Sequence, residues 1–251
     1  MKLTIKTLLA TLVSTACLLA GDLTITSTSR HKGPMGASGD GIQTEYFNAN
    51  YQKTVDESTR IDTMVDYGKG VFYTIHHKEK KIELMTFDDL VAIGEAMEAR
   101  MAQMANLPKA IQGMMGGKAG EAKVEKLGDD TVAGRPCKKY KLTVGKIVEE
   151  LSLDPSLKPP VNPAAFAKFA RLRGNMYAGP AGASMKKLTD ELGKLQGMPL
   201  KTRVTGFMGT ESTTEATEVK TSPIPASTFA LPAGYKTEDV GKKTLKELQK
   251  S

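Results

Sequence analysis

The chain has 251 residues, 40% hydrophobic and 25% charged, with a net charge of +7; such a composition buries a core and is not that of a disordered chain. Its basic residues stand in short groups between acids, such as Lys78, Lys80 and Lys81, without interleaved aromatics, which argues against a nucleic-acid partner. Thirteen methionines against no tryptophan point to a soft, adaptable apolar interior.

Lys2 and Lys6 precede an apolar run from Leu8 to Ala20, and the chain turns polar at Gly21-Asp22. This is the pattern of a secretory signal peptide, residues 1–20, and it predicts a periplasmic or secreted protein. The run is short of the roughly 20 apolar residues of a membrane-spanning helix. Cys17 opens an alternative, lipid anchoring, although Ser14 stands where a lipidation box has an aliphatic residue. Once the signal is removed Cys137 is the remaining cysteine. It reads as a buried small apolar side chain, and no disulfide, zinc site or other cofactor is expected.

Residues 21–236 are expected to form one β-rich domain, with 237–251 as a basic tail. Leu23 and Ile25 alternate with threonines, the period of a strand, before a glycine-rich loop from Gly33 to Gly41. A meander follows in segments 43–55, 60–66, 71–76 and 81–86, with turns at Gly68-Lys69-Gly70 and at His77 to Lys80. Asp88-Asp89 suit the positive end of a helix that starts after Phe87. Leu90, Gly94, Met97, Met101 and Met104 fall on one stripe of that helix. Pro108 ends it, and the glycine-rich stretch 112–120, with Met114 and Met115, resists regular structure.

Asp129-Asp130 reads as a hairpin turn. In the strand after it, Tyr140, Leu142 and Val144 form a dry face, and Lys139, Lys141 and Thr143 a wet one. In Glu149-Glu150 one carboxylate must share a face with Ile147 and Leu151. That pair is the best candidate for a perturbed acid, with a Lys or Arg partner expected on a neighbouring strand. Helices are predicted near Pro163 and near Ala181, the second with Met185, Leu188, Leu192 and Leu195 on one face and closed by Gly197. Two strands follow, and a proline-punctuated segment lays Ile224, Phe229, Leu231 and Tyr235 onto the sheet. From Val240 the tail is weakly helical. No internal repeat is evident.

Three phrases carry a resemblance: Val132-Ala133-Gly134-Arg135-Pro136-Cys137-Lys138-Lys139-Tyr140, Gly197-Met198-Pro199-Leu200-Lys201-Thr202, and the ending from Ile224-Pro225 to Phe229-Ala230-Leu231-Pro232-Ala233-Gly234-Tyr235. With the signal segment and the meander, they resemble uncharacterised bacterial envelope proteins related in fold to the lipoprotein carrier LolA and its receptor LolB. The resemblance implies an α+β fold in which a strongly curved antiparallel sheet, an incomplete β-barrel, carries helices across its concave face. It also implies an apolar hollow that takes acyl chains, so that a lipid, a lipoprotein or another amphiphile is the expected partner.

Catalytic signals are weak. His76 and His77 are adjacent and point to opposite faces of a strand, a poor geometry for chelating one metal, and they read as solvated. The methionine stripe has three readings: core packing, thioether ligation of copper, or the lining of an apolar ligand site. The last would be formed by Leu90, Met97, Met101, Met104, Met114 and Met115. A non-catalytic envelope protein that binds an amphiphile is the leading expectation. A ligand-free module that docks an envelope protein is the alternative.

Overall fold

The computed structural model describes residues 21–33, 38–104, 122–144, 147–175, 187, 190–206 and 210–250. The signal segment 1–20, Met114, Met115 and most of the helix expected near Ala181 lie outside them.

Among the described residues twelve strands form one sheet in the order β12-β6-β5-β4-β3-β2-β1-β11-β10-β9-β8-β7, curved and not closed. β1 is Leu23–Lys32, β2 Ser38–Phe47, β3 Tyr51–Asp56, β4 Ile61–Asp66, β5 Val71–His76 and β6 Lys81–Thr86. After helix α1, Phe87–Met104, come β7 (Ala122–Val132), β8 (Arg135–Val144) and β9 (Ile147–Asp154). Helix α2, Pro163–Asn175, leads to β10 (Met198–Thr205) and β11 (Glu211–Lys220); the chain ends with β12 (Lys236–Asp239) and helix α3, Val240–Lys250. All ladders are antiparallel except that of β12 with β6. Segment 237–251, expected as a tail, thus supplies strand residues to the sheet and a helix that packs on α1 and β6.

The meander repeats in steps of ten residues, six of strand and four of turn, from Tyr51 to Thr86. Each turn closes on a residue with positive φ: Arg60 at 59°, Gly70 at 64° and Lys80 at 48°. The Asp that ends β3 accepts hydrogen bonds from the backbone N–H groups of Ser58 and Thr59, and Asp66 accepts one from Lys69, which fixes the start of the first two turns. Between β2 and β3 the chain breaks at Asn48, whose Oδ1 accepts from the N–H groups of Asn50 and Tyr51, so segment 43–55 is two strands rather than one. The glycine loop is also narrower than expected, because Gly39 and Gly41 belong to β2 and pair with His31 and Ser29.

Helix α1 starts with a reciprocal capping box. Asp89 N–H donates to Thr86 Oγ1 at 3.0 Å, and Thr86 N–H donates to Asp89 Oδ2 at 2.9 Å, satisfying donors that a helix start leaves open. Asn162 caps α2 by accepting from the N–H groups of Ala164 and Ala165, while Pro163 occupies the first turn, where its missing N–H costs nothing. Phe169 of α2 is the centre of the packing beneath these helices. Its ring stacks on Phe87 at 5.4 Å and on Phe72 at 6.0 Å, and meets Tyr67 edge-on.

The opposite face of β3–β6 is covered by the ending 224–235. Ile224, Phe229 and Tyr235 join Met64, Tyr73, Ile75 and Ile82 in one cluster, and Phe229 stacks on Tyr51 at 5.2 Å. Leu231, expected on the sheet, is exposed instead; the tie at this end of the segment is the contact of Tyr235 Oη with His77 Nδ1 at 3.1 Å.

Candidate binding face

Strand parity decides what the two faces carry. On β8 and β9 one face presents Leu142, Val144, Leu151 and Leu153 in a buried cluster, with Val124, Tyr140, Leu192 and Leu195 packed against it. The dry face expected of Tyr140, Leu142 and Val144 is therefore present, and it is the helix-bearing, concave side. The opposite face is a belt of ion pairs: Lys139 with Glu150 at 3.0 Å, Lys201 with Glu215 at 2.9 Å and Arg203 with Glu211 at 2.8 Å.

The acidic doublet divides between the two. Glu150 lies opposite Lys141 and Arg203 in the ladder, whereas Glu149 lies opposite Leu142 and Val204. The Lys139 hydrogen bond holds the Glu150 carboxyl below the usual range. Burial pushes the Glu149 carboxyl up, and nothing among the described residues opposes it. The sequence singles out the right doublet, but the expected cation serves only Glu150, because Lys139 and Lys141 of β8 and Lys201 and Arg203 of β10 share its face.

The residues expected to line an apolar site are all on or after α1. Leu90 is 2% exposed and sits in the core with Val65, Tyr67, Phe87, Val161, Phe169 and Leu172. Met97 is half-buried further along the same helix. Met101 and Met104 belong to the last turn and a half of α1, and Met114 and Met115 lie outside the described residues. Two concavities among the described residues are polar. One is lined by residues including Thr28, Arg30, Asp40 and Glu57, the other by the ion-pair belt.

The other singled-out residues have structural partners. Asp129 and Asp130 lie within β7, not in a turn; the turn is Ala133-Gly134, with φ of 49° and 71°, a two-residue connection whose twist matches the strands. Asp129 pairs with Lys138 at 2.6 Å, and Asp130 accepts from Ser152 Oγ. The histidines are covered rather than solvated: His77 Nε2 is 3.1 Å from Asp62, and His76 Nε2 is buried 3.3 Å from Glu83 without forming a hydrogen bond to it. Cys137 is buried, as expected, and burial followed by the nearby Asp154 charge raises its thiol.

Sequence reading missed the node at which the first two resemblance phrases meet. Arg135 Nε donates to Asp154 Oδ2 at 2.5 Å, and Ser156 donates to Asp154 Oδ1 through both N–H and Oγ. Burial opposes the charge of Asp154, yet these bonds hold its carboxyl below the usual range. Gly197, at φ 113°, passes so close that an added Cβ would lie 2.4 Å from the Asp154 carbonyl oxygen.

An open, curved sheet with helices across its concave face is the architecture that the resemblance implied, and it defines a fold whose apolar side is closed by helices instead of by a second sheet. The chain belongs to the family described as Domain of unknown function (DUF4412), which matches residues 40–235. No curated protein matches it. Among solved structures it is similar to an uncharacterized conserved protein from Thermus thermophilus, at 8% identity over 88% of this chain and 91% of that one, with a TM-score of 0.47. It is similar to PNGF-II at 14% identity and a TM-score of 0.44, covering 91% of this chain but 34% of that one. It is also similar to a LolA superfamily protein from Nitrosomonas europaea, at 8% identity over 84% and 91% of the two chains, with a TM-score of 0.35.

Proposed function

We propose that this chain is an exported, non-catalytic protein of a bacterial envelope that shelters a lipid or other amphiphile between its curved sheet and its helices. The observation that carries this reading is the parity of β8–β10, which gathers apolar side chains on the side the helices cover and leaves the ion pairs on the other. Burying an acyl chain on such a face needs no directional contacts, and flexible methionines repack around variable chains. The lining expected of Met97, Met101, Met104, Met114 and Met115 forms part of this proposal, whereas Leu90 is a core residue. Export rests on Lys2, Lys6 and the run Leu8 to Ala20, and no described helix is long and apolar enough to cross a membrane. A non-catalytic role is supported by the structural engagement of His77, Asp129 and Asp130.

The purified protein is expected to enhance the fluorescence of an environment-sensitive naphthylamine probe and to release it to added lipid. Failure to bind any such probe would count against the reading. An interaction module is favoured by one different observation: β7, at a sheet edge, pairs on one side only among the described residues and exposes Leu127, a template for an added strand. Cross-linking in cells that returns a stable envelope partner through β7, with no bound amphiphile, would support that alternative.

A further inference from the structure

Half-buried or buried carboxylates are numerous in this protein, and they are systematically partnered. Asp62 meets Lys53 and His77, Asp66 meets Lys69, Asp89 meets Thr86, Asp154 meets Arg135, and Glu83 meets Lys81. Glu45 likewise has a partner. Glu149 is the exception: among the described residues nothing donates to it or pairs with it. Ladder positions on either side of it are Leu142 and Val204, and Leu151 lies two residues along the same face. A carboxylate held against apolar neighbours without a donor costs free energy in the unliganded protein.

Position on the strand adds a second observation. The buried half of β9 is Leu151 to Asp154, whereas Ile147 to Glu150 are only half-buried. On β10 the change runs in step, from buried Met198 and Leu200 to half-buried Val204, while Leu142 and Val144 of β8 stay buried; Glu149 therefore stands where the concave face becomes less covered along β9 and β10. This is the arrangement needed by a ligand with an apolar chain and a polar head. Charge complementarity then fixes the head: an anionic head would meet an unpartnered carboxylate, while a protonated amine would satisfy it in surroundings that strengthen the pair.

We infer that Glu149 receives the protonated primary amine of an amphiphile whose apolar chain lies along the half-buried Ile147 and Val204. This deepens the proposed function and rests on it. A phospholipid head and a lipid-modified peptide both offer such an amine, and the shared chemistry is an ammonium group joined to an alkyl chain.

The test is calorimetric titration of the whole protein at pH 7 with dodecylammonium, dodecanoate and dodecyl maltoside, each below its micellar concentration. Dodecylammonium is expected to bind at least about tenfold more tightly than the other two. Glu149→Gln and Glu149→Met, which both lack the charge, should each remove that preference. Equal binding of the three probes, or a preference for the amine that survives both substitutions, overturns the amine assignment and leaves the sheltering of an amphiphile standing. If none of the three binds, both fail.

Discussion

Gly241 of α3 lies directly against the side chain of Asp89 in α1: a Cβ at position 241 would stand 2.5 Å from Asp89 Oδ2 and 2.6 Å from its Cγ. Asp89 is already committed to the capping box with Thr86. The C-terminal helix therefore seats on the start of α1 only because residue 241 has no side chain. Gly241→Ala is expected to destabilise the protein by about 1–3 kcal/mol, the usual range for overpacking, and to loosen α3 selectively. Amide hydrogen exchange should show faster exchange across 240–250 in that variant, while the exposed control Lys246→Ala leaves it unchanged.

The Arg135–Asp154 node predicts an acid limb of stability. Asp154 has its carboxyl below the usual range in the folded chain, so its contribution is fully present above the unfolded-state value and is lost as pH falls through the folded one. Urea unfolding from pH 7 downward should show that loss below about pH 4. Arg135→Ala leaves a fully inaccessible carboxylate without its cation, and a loss of about 3–5 kcal/mol at pH 7 is expected.

Glu149 has the opposite sign. Its carboxyl is raised by burial, so protonation favours the folded state, and stability declines as pH rises through its folded value. Glu149→Gln, which is neutral throughout, should unfold at higher urea than the unsubstituted protein at pH 7. That advantage should shrink as the pH falls toward the ordinary carboxylate range. An equal advantage at every pH would contradict the desolvation of this side chain.

The ten-residue meander contains a test of backbone strain. Arg60 and Lys80 occupy left-handed positions that Gly70 fills in the intervening turn, a conformation that costs a side-chain-bearing residue roughly 1 kcal/mol. Arg60→Gly and Lys80→Gly are expected to raise stability by up to about 1 kcal/mol each. Gly70→Ala should lower it by a similar amount, with the added crowding of a Cβ 3.4 Å from the Phe87 ring. Thermal unfolding of the three variants decides this.

Much of this architecture is legible in the sequence because it follows local periodicity. The alternation around Leu23 and Ile25, the meander strands, the acidic start of α1 and the dry face of β8 are set by neighbours two to four residues away. The repeat is hidden because two of its three left-handed positions carry Arg and Lys, which do not announce a turn as glycine does. Asp129-Asp130 outweighs Ala133-Gly134 as a turn signal, although the backbone turns at the latter. β12 is invisible for another reason: Lys236–Asp239 has no apolar alternation, and its parallel pairing with β6 depends on a distant strand. The missing partner of Glu149 is likewise a matter of register, since only the ladder shows that Lys141 and Arg203 share the face of Glu150.

The most direct measurement of the central claim is native mass spectrometry of the protein purified from its own cell envelope, followed by lipid extraction of the same sample. The account predicts a bound mass that dissociates as a lipid or lipid-modified peptide, with its chain buried on the concave face. A clean ligand-free mass, from protein that also fails to take up added amphiphiles, would contradict it.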